Sequence, residues 1–209
     1  MGTFTPRDGR VRARRCPRRA SLARGTGPSY SRGVRQPIPD VLAPGLRVLF
    51  VGINPSLRSA EVGHHFAHRG NPFWRLLHAA GLTPTLLRPD EDARLLELGL
   101  GVTNVCRRPT RSAADLSAAE LRAGALLLRD AVAALRPRVV ALVGIGLYRL
   151  VAPGGREPGP GAKRARLHGA RVFVLPNPSG LNAAYPGFRS KLVWFRRLRR
   201  AVEREARAG

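Results

Sequence analysis

Short apolar runs alternate with stretches of helical spacing along the chain from about residue 46 onward. An apolar run bounded by glycine, proline or polar turn residues predicts a buried strand. Four runs fit this description, and we predict strands over Leu46–Gly52, Gly101–Val105, Val139–Val143 and Arg171–Leu175. Helices are predicted over residues 73–80 and 89–98, from residue 118, and from about residue 186.

The helix after Ser117 has the clearest boundaries. Ser117 and Glu120 stand at the spacing of a capping box, and Pro137 ends the helix. Its predicted buried face consists of Leu121, Ala125, Leu128, Val132 and Leu135. The last helix should bury Phe188, Leu192, Phe195, Leu198 and Val202, and its other face is mostly arginine. Residues 54–71 and 153–168 are predicted to be loops.

Strands that alternate with helices predict an α/β fold with a mostly parallel sheet covered on both faces. Ligand sites in such sheets lie beyond the carboxyl ends of the strands. Two predicted strand ends carry an Asn-Pro pair, in Gly52-Ile53-Asn54-Pro55-Ser56 and Pro176-Asn177-Pro178-Ser179-Gly180. An asparagine amide both donates and accepts, so it can hold a water molecule or read a base edge. A plain turn explains each Asn-Pro pair equally well.

The strong positive charge of the chain indicates the kind of partner that it binds. Residues 1–40 are rich in Arg, Pro, Gly and Ser, which predicts a disordered basic tail before one folded domain over residues 41–209. The net charge is +24, with +8 in residues 1–40 and +6 in residues 186–209. Such a field favours nucleic acid, although 35 of the 37 basic residues are arginine, which also indicates compositional bias. Two cysteines and no apolar span predict a cytoplasmic, nucleoid-associated protein without membrane contact.

Residues 44–181 resemble the mismatch-specific uracil-DNA glycosylase and thymine-DNA glycosylase family. The matching stretches occur in family order: Ala43–Val48, Gly52–Pro55, Phe66–His68, Asn71–Trp74, Gly101–Thr103, Arg108–Thr110 and Leu175–Leu181. The resemblance implies a three-layer α/β/α sandwich with a short central sheet. It also implies a monomer that flips uracil out of G-mismatched or damaged double-stranded DNA and hydrolyses the bond to the sugar.

The resemblance assigns a role to each loop residue. Asn54 would position the attacking water, Phe66 would stack on the flipped uracil, and Ile53 and Asn177 would hold the base or the departing anion. Leu181 would enter the gap in the duplex, and Gly180 and Asn182 would face the widowed guanine. A cationic sugar needs little activation of the water, so an amide suffices there, and donors aimed at the leaving base lower the barrier.

The chain departs from the family pattern in a few places. Ser56 stands where the family usually has glycine, and it could narrow the mouth or donate a hydrogen bond. Ala183 and Ala184 replace a basic residue of some relatives, which weakens the expected grip on phosphate or guanine. Asn104 is a candidate for orienting water and equally a strand-end turn residue. Ser59 is a candidate phosphate contact and equally a loop serine without a role.

Other groups carry weaker signals. His64, His65 and His68 lack an acidic or cysteine partner nearby, so we expect surface or phosphate-facing histidines, no metal and no cofactor. Gly144-Ile145-Gly146 is interpreted as a tight strand-to-helix turn. Three arginines after the second strand are candidate phosphate contacts, with a solvated edge of the domain as the alternative: Arg107, Arg108 and Arg111. Two alternatives remain open, a non-catalytic DNA-binding member of the same fold and an enzyme for a small anionic ligand.

Overall fold

A central five-stranded sheet organises the protein, which we describe from a computed structural model. The structure describes residues 37–152, 154–179 and 182–208. The strands are β1 (Val48–Gly52), β2 (Leu100–Asn104), β3 (Val139–Val143), β4 (Gly161–Leu167) and β5 (Ala170–Leu175). Their order in the sheet is β2-β1-β3-β5-β4; the first four are parallel, and β4 is antiparallel to β5. The mostly parallel sheet is confirmed.

Helices cover both faces of the sheet. They are α1 (Leu57–Val62), α2 (Phe73–Ala79), α3 (Ala118–Leu135), α4 (Ile145–Val151) and α5 (Gly187–Ala208). Side chains that alternate along β1 enter two separate cores: Phe50 packs with α2 and α5, whereas Leu49 packs with α3 and α4. The predicted three-layer α/β/α sandwich is therefore confirmed. None of the described helices is both long enough and apolar enough to cross a membrane.

Helix α3 forms as its sequence predicts. The Ser117 hydroxyl accepts a hydrogen bond from the Glu120 amide, and the Glu120 carboxylate accepts one from the Ser117 amide. Ala125, Leu128 and Val132 are buried on its inner face. The inner face of α5 is likewise buried at Phe195, Leu198 and Val202, with Phe188 and Leu192 half-buried.

The prediction that residues 153–168 form a loop is wrong in its second half, because β4 begins at Gly161. The inward positions of β4 are Lys163, Ala165 and Leu167, and a lysine in the first of them hides the alternation of a strand. The Lys163 ammonium is satisfied inside by the backbone carbonyls of residues 157, 158 and 159. His168 and Gly169 both have positive φ, as a tight hairpin turn requires.

Two further segments differ from the sequence-based expectation. Residues Pro89–Leu98 form a 3₁₀ helix with non-helical angles at Glu91, rather than a regular α-helix. The loop over residues 54–71 contains the short helix α1. The predicted disordered tail of residues 1–40 ends too late, because Ile38 is buried and Val41 pairs with Val102. Residues 1–36 of that tail lie outside the described residues.

Candidate active site

The predicted site residues gather at the carboxyl edge of the sheet. Gly52 lies opposite Asn104 in the register of β1 and β2, and Val143 lies opposite Leu175 in that of β3 and β5. The loops after β1, β2 and β5 therefore leave the same edge. Between them, Gly144 turns the chain into α4 with φ +129°, close to the Ile53 side chain. The predicted tight turn at Gly144 is confirmed.

Asn54 is held by the loop that follows β2. Its amide nitrogen Nδ2 donates to the Arg108 carbonyl at 3.0 Å and to Thr110 Oγ1 at 2.7 Å. The Thr110 hydroxyl in turn donates to the Ser112 carbonyl at 2.6 Å, so its oxygen is oriented to accept from Asn54. Both amide protons are thereby used, and Oδ1 has no hydrogen-bond partner among the described residues. Asn54 thus presents a fixed acceptor.

The loop that holds Asn54 is itself fixed by an ion pair. Arg108 binds Glu120 through two hydrogen bonds, Nε to Oε1 at 2.6 Å and Nη2 to Oε2 at 3.0 Å. The Arg108 side chain, and then the Ser117 amide, lower the pKa of Glu120 to about 2. Sequence reasoning offered Arg108 as a phosphate contact; in the structure its side chain is engaged by Glu120. Its contribution to the site is its carbonyl oxygen.

The neighbouring arginines differ from each other. Arg107 pairs with Asp40 at 3.0 Å, and the same carboxylate accepts a hydrogen bond from Thr103. Arg111 is exposed and has no ion pair within the described ranges. Of the three arginines proposed for phosphate contact, Arg111 is therefore the one whose side chain carries no protein partner there.

Ser56, the departure from the family pattern, acts within the fold. Its hydroxyl accepts from the Ser59 amide as the N-cap of α1 and donates to Ser59 Oγ at 3.0 Å. Ser59 is 2% exposed, and its oxygen also accepts from the Ala67 amide at 3.1 Å. Ser59 is therefore a positioning residue for the loop beside it rather than a phosphate contact on the surface.

Phe66 lies on that loop in a strained conformation. Its φ of +53° is in the left-handed region, which a bulky residue rarely adopts. One face of its ring stacks on Phe73, with 3.9 Å between the ring centroids and 22° between the planes. The ring is half-buried, and its tip lies near Gly52 at the sheet edge. Strain of this kind is characteristic of functional loops, where the surrounding contacts impose it.

Asp92 holds the two histidines that precede Phe66. The Asp92 carboxylate contacts His64 Nδ1 at 3.2 Å and accepts from the His65 amide at 3.3 Å. His65 is buried rather than surface-facing, which corrects the expectation for this residue. Burial, as the main cause, lowers the pKa of His65 below 6.5. Among the described residues no group of three histidine, cysteine or acidic side chains could hold a metal ion.

A chain of hydrogen bonds orients Asn104. His65 Nε2 lies 3.1 Å from the Pro39 carbonyl, which only accepts, so Nε2 carries the proton of the neutral ring. His65 Nδ1 then accepts from Asn104 Nδ2 at 3.4 Å, which leaves Asn104 Oδ1 pointing across Gly52. A Cβ at Gly52 would collide with that oxygen, so the glycine permits the close approach.

The second Asn-Pro loop is stabilised by its own residues. Asn177 Oδ1 accepts from the Ser179 amide at 2.9 Å, and the Asn177 carbonyl accepts from Asn182 Nδ2 at 3.1 Å. The remaining polar atom of the Asn177 side chain is the donor Nδ2, for which no partner occurs in the described ranges. The backbone N–H of Asn182 donates to the Ser179 carbonyl, so a guanine contact through that backbone N–H would require this bond to open. Gly180 and Leu181 lie outside the described residues.

Thr110, Glu120, His65 and Asp92 are site residues that sequence reasoning missed. The predicted capping box placed Glu120 at a helix start but gave no sign of its second partner, Arg108. Thr110 lies in a stretch that resembles the family, which was its one available signal. Asp92 and His65 are 27 residues apart, and no local pattern connects them.

The fold and the site define a class of α/β protein whose ligand site lies at the carboxyl edge of a mostly parallel sheet and is lined by amides and an aromatic ring. The sequence model of the Uracil DNA glycosylase superfamily matches residues 39–199, most of the chain. The chain therefore belongs to the uracil DNA glycosylase superfamily. A solution NMR structure of a candidate uracil DNA glycosylase from Methanosarcina acetivorans is similar, with 22% identity over 79% of this chain and 98% of that one and a TM-score of 0.49.

Proposed function

We propose that this protein is a monofunctional DNA glycosylase that excises uracil from G-mismatched duplex by base flipping and hydrolysis. The family supports a DNA glycosylase as the general activity. The observation that carries the proposal is the orientation of Asn54, whose two amide protons are held by the Arg108 carbonyl and the Thr110 hydroxyl. The acceptor Oδ1 remains free to accept a hydrogen bond from the attacking water.

The chemistry suits an amide at this position. As the bond to uracil breaks, the sugar becomes cationic and the ring anionic, so the water needs orientation more than deprotonation. Asn54 Oδ1 can fix one water proton and so direct a lone pair at the sugar carbon. No carboxylate is among the described residues that contact Asn54, which agrees with a mechanism that relies on position rather than on general base strength.

The departing base needs donors and a stacking surface. Asn177 Nδ2 is a donor with a fixed direction, because Oδ1 of the same amide is held by the Ser179 amide. A donor aimed at developing negative charge contributes transition-state stabilisation. The ring of Phe66, which is backed by Phe73 and held by its strained backbone, offers the surface on which the flipped uracil stacks.

Selectivity is assigned to the flipping step. A mismatched base costs less to unstack than a paired one, and an apolar wedge offsets part of that cost. We assign the wedge to Leu181 and the guanine contacts to Gly180 and Asn182. Ser56 caps α1 and bonds to Ser59, so it gives no reason to expect a non-catalytic binder.

Base release from a panel of duplexes tests the proposal. Purified protein is incubated with duplexes that carry one uracil, thymine, ethenocytosine or hypoxanthine, each opposite guanine and opposite adenine. Abasic sites are then cleaved with alkali and counted. Uracil opposite guanine is expected to react fastest, and Asn54→Ala, prepared in parallel, excludes activity from a host enzyme.

Two results would contradict the glycosylase assignment, and a third would contradict the mismatch preference. Salt-sensitive duplex binding without release of any base would identify a non-catalytic member of the family. Preferential binding of free nucleotides over duplex would indicate an enzyme for a small anionic ligand. Equal release of uracil opposite guanine and opposite adenine would retain the glycosylase and remove the mismatch preference.

A further inference from the structure

The outer face of α5 is an exposed row of arginines. Its inner face is buried in the core, so the helix cannot turn to present another surface. The exposed side chains on the outside belong mostly to one residue type: Arg189, Arg196, Arg197, Arg200, Arg204 and Arg207. We call this set the α5 arginine row. Its residues recur at spacings of three and four, which align them along one side of a helix.

The α5 arginine row has no acidic partners among the described residues. The helix contains two glutamates, and both are engaged elsewhere. Glu203 binds Arg199 at 2.7 Å, at the side of the row, and Glu205 binds Arg171 at 2.5 Å and Arg166 at 3.6 Å. The row therefore presents positive charge that the protein itself does not neutralise.

Compositional bias toward arginine does not explain the row. Helix α3 belongs to the same chain and has a comparable length, yet it contains two basic and two acidic residues and is neutral. Helix α5 contains eight basic and two acidic residues, a net +6. A uniform excess of arginine would charge both helices, whereas α3 is neutral and α5 carries +6.

The row leads away from the candidate active site. Helix α5 begins just after the second Asn-Pro loop, where Arg75 of α2 lies 5.0 Å from the centre of the Phe188 ring. Further along, Arg199 lies against Gly81, beyond the end of α2. The two helices thus run together from the carboxyl edge of the sheet toward the opposite edge. From Arg189 to Arg207 the row is about 27 Å long at 1.5 Å per residue.

A groove widens the basic surface at the far end. It has a volume of about 540 Å³ and lies between the end of α2 and the middle of α5. Half of its lining residues are arginine or histidine, and Glu203 is the one acid: His78, Ala79, Ala80, Gly81, Arg196, Arg199, Arg200 and Glu203. The groove and the row together form one surface that suits a long anion rather than a compact one.

We propose that the α5 arginine row is a second DNA-binding surface, which holds the phosphates of a duplex segment other than the one at the active edge. DNA carries one negative charge per about 1.7 Å of its axis, so a row of this length faces about 16 charges. The inference assumes that the protein works on DNA, as its family does, but not that it releases uracil. A membrane is the poorer occupant, because the apolar side of α5 is buried and cannot insert.

A second surface changes how the protein reaches its target. Two DNA segments held at once allow direct transfer from one to the other without release into solution. The second contact also raises the effective concentration of nearby duplex. We therefore expect two duplexes to be brought together on one molecule of protein, and this bridging to decline with salt as phosphate contacts are lost.

The test uses the full chain and a 30-base-pair duplex that contains no uracil. The α5 variant is Arg200→Gln with Arg204→Gln. The matched control is Arg122→Gln with Arg149→Gln, which removes the same charge from α3 and α4 on the opposite layer. Both keep the basic N-terminal segment. Binding is measured by fluorescence anisotropy over a salt series, and bridging by energy transfer between two differently labelled duplexes.

The proposal predicts a specific difference between the two variants. The α5 variant should reduce the slope of log K against log salt by about 2 and should lose most of the energy transfer. The control should keep the bridging signal of the wild type. Because the probe contains no uracil, a failure of the proposed glycosylase activity leaves these measurements unaffected.

Several outcomes would overturn the inference. An unchanged slope in the α5 variant would show that the row does not touch DNA. A reduced slope with bridging intact, or an equal loss of bridging in the control variant, would remove the assignment of a second segment to α5. Loss of binding to phosphatidylserine vesicles, with DNA binding unaltered, would assign the row to a lipid surface instead.

Discussion

The two Asn-Pro loops have the same sequence pattern but are stabilised in different ways. Asn54 is held mainly from outside its loop, through bonds to the Arg108 carbonyl and the Thr110 hydroxyl more than 50 residues away, beside a longer bond of 3.2 Å to the Pro55 carbonyl. Asn177 is held from within its loop, by the Ser179 amide two residues along. Each arrangement uses one half of an amide and leaves the other half for a ligand.

The difference gives the two amides opposite chemical characters. In Asn54 the two N–H donors are bound by the protein and the oxygen remains, which can accept a hydrogen bond from water. In Asn177 the acceptor is used and a donor remains, which suits a base that is becoming an anion. A hydrolysis that separates a cationic sugar from an anionic base needs one group of each kind.

Replacement of Asn54 should have the largest effect. Asn54→Ala removes the acceptor for water, and the rate of uracil release should fall on the order of 10³-fold, within what positioning of a nucleophile supplies. Asn54→Asp keeps an oxygen at this place but loses the two donors that hold the side chain, so its rate should fall between those of alanine and the wild type. Single-turnover assays with saturating enzyme measure both, and circular dichroism checks the fold. Equal rates for the two variants would contradict an acceptor role.

Replacement of Asn177 should have the next largest effect. Here the order of the alanine and aspartate variants should be the reverse of that at Asn54. Asn177→Ala removes a donor to the leaving base and should slow release by about 10²-fold. Asn177→Asp keeps the bond to the Ser179 amide but points a carboxylate at developing negative charge, so it should be slower than alanine. The same assays apply. If the aspartate variant releases uracil faster than the alanine variant at both positions, the proposed contrast between the loops is wrong.

Thr110→Val tests whether Asn54 depends on the second loop. Valine has a similar shape but offers no acceptor, so Asn54 loses one of the bonds that fix its amide. A cost near that of one hydrogen bond, about 1 kcal/mol, corresponds to a five- to tenfold lower rate. Affinity for the duplex should not change, because the Thr110 side chain is buried.

Thr110→Ser supplies the matched control for this position. Serine keeps the hydroxyl that accepts from Asn54 and donates to the Ser112 carbonyl, so it should restore the rate. A merely structural role for Thr110 would lower the thermal stability of the valine variant and leave the rate of the folded enzyme unchanged. A serine variant as slow as the valine variant would contradict the proposed orientation of Asn54.

The contrast between the loops also explains how far sequence reasoning could go. The four parallel strands were predictable because fully buried strands are continuous apolar runs, and parallel strands direct their ends to one edge. That placed Asn54 and Asn177 together, whereas Asn104 was placed beside them by the resemblance to a family. The side-chain roles came from the resemblance to a family and not from the pattern.

What could not be predicted depends on contacts between distant residues. The bonds from Asn54 to the 108–110 loop, and from Asp92 to His65, join segments that only the folded chain brings together. Strand β4 was missed because its first inward residue is Lys163, whose charge is satisfied by three carbonyls of a neighbouring loop. The local sequence pattern shows the charge of Lys163 but not the carbonyl groups that satisfy it in the folded chain.

A pH dependence of stability, rather than of the rate, also belongs to the first loop. Burial lowers the pKa of His65, whose nearest titratable neighbours are Asp92, Asp40 and His64. The unfolded chain therefore takes up a proton near pH 6.5 that the folded protein still excludes. Stability should be constant above this pH and should fall as the pH is lowered through the range below it, by at most about 1.4 kcal/mol per pH unit.

Thermal melts from pH 8 to pH 5 measure this dependence. His65→Gln keeps a donor for the Pro39 carbonyl without a titrating ring, so its stability should be lower at pH 8 but should decline less on acidification. Protonation would also remove the acceptor that orients Asn104, so the first loop should lose order before the second. Identical pH profiles for the two proteins would mean that His65 does not control this transition, and the contrast between the loops would then rest on their amides alone.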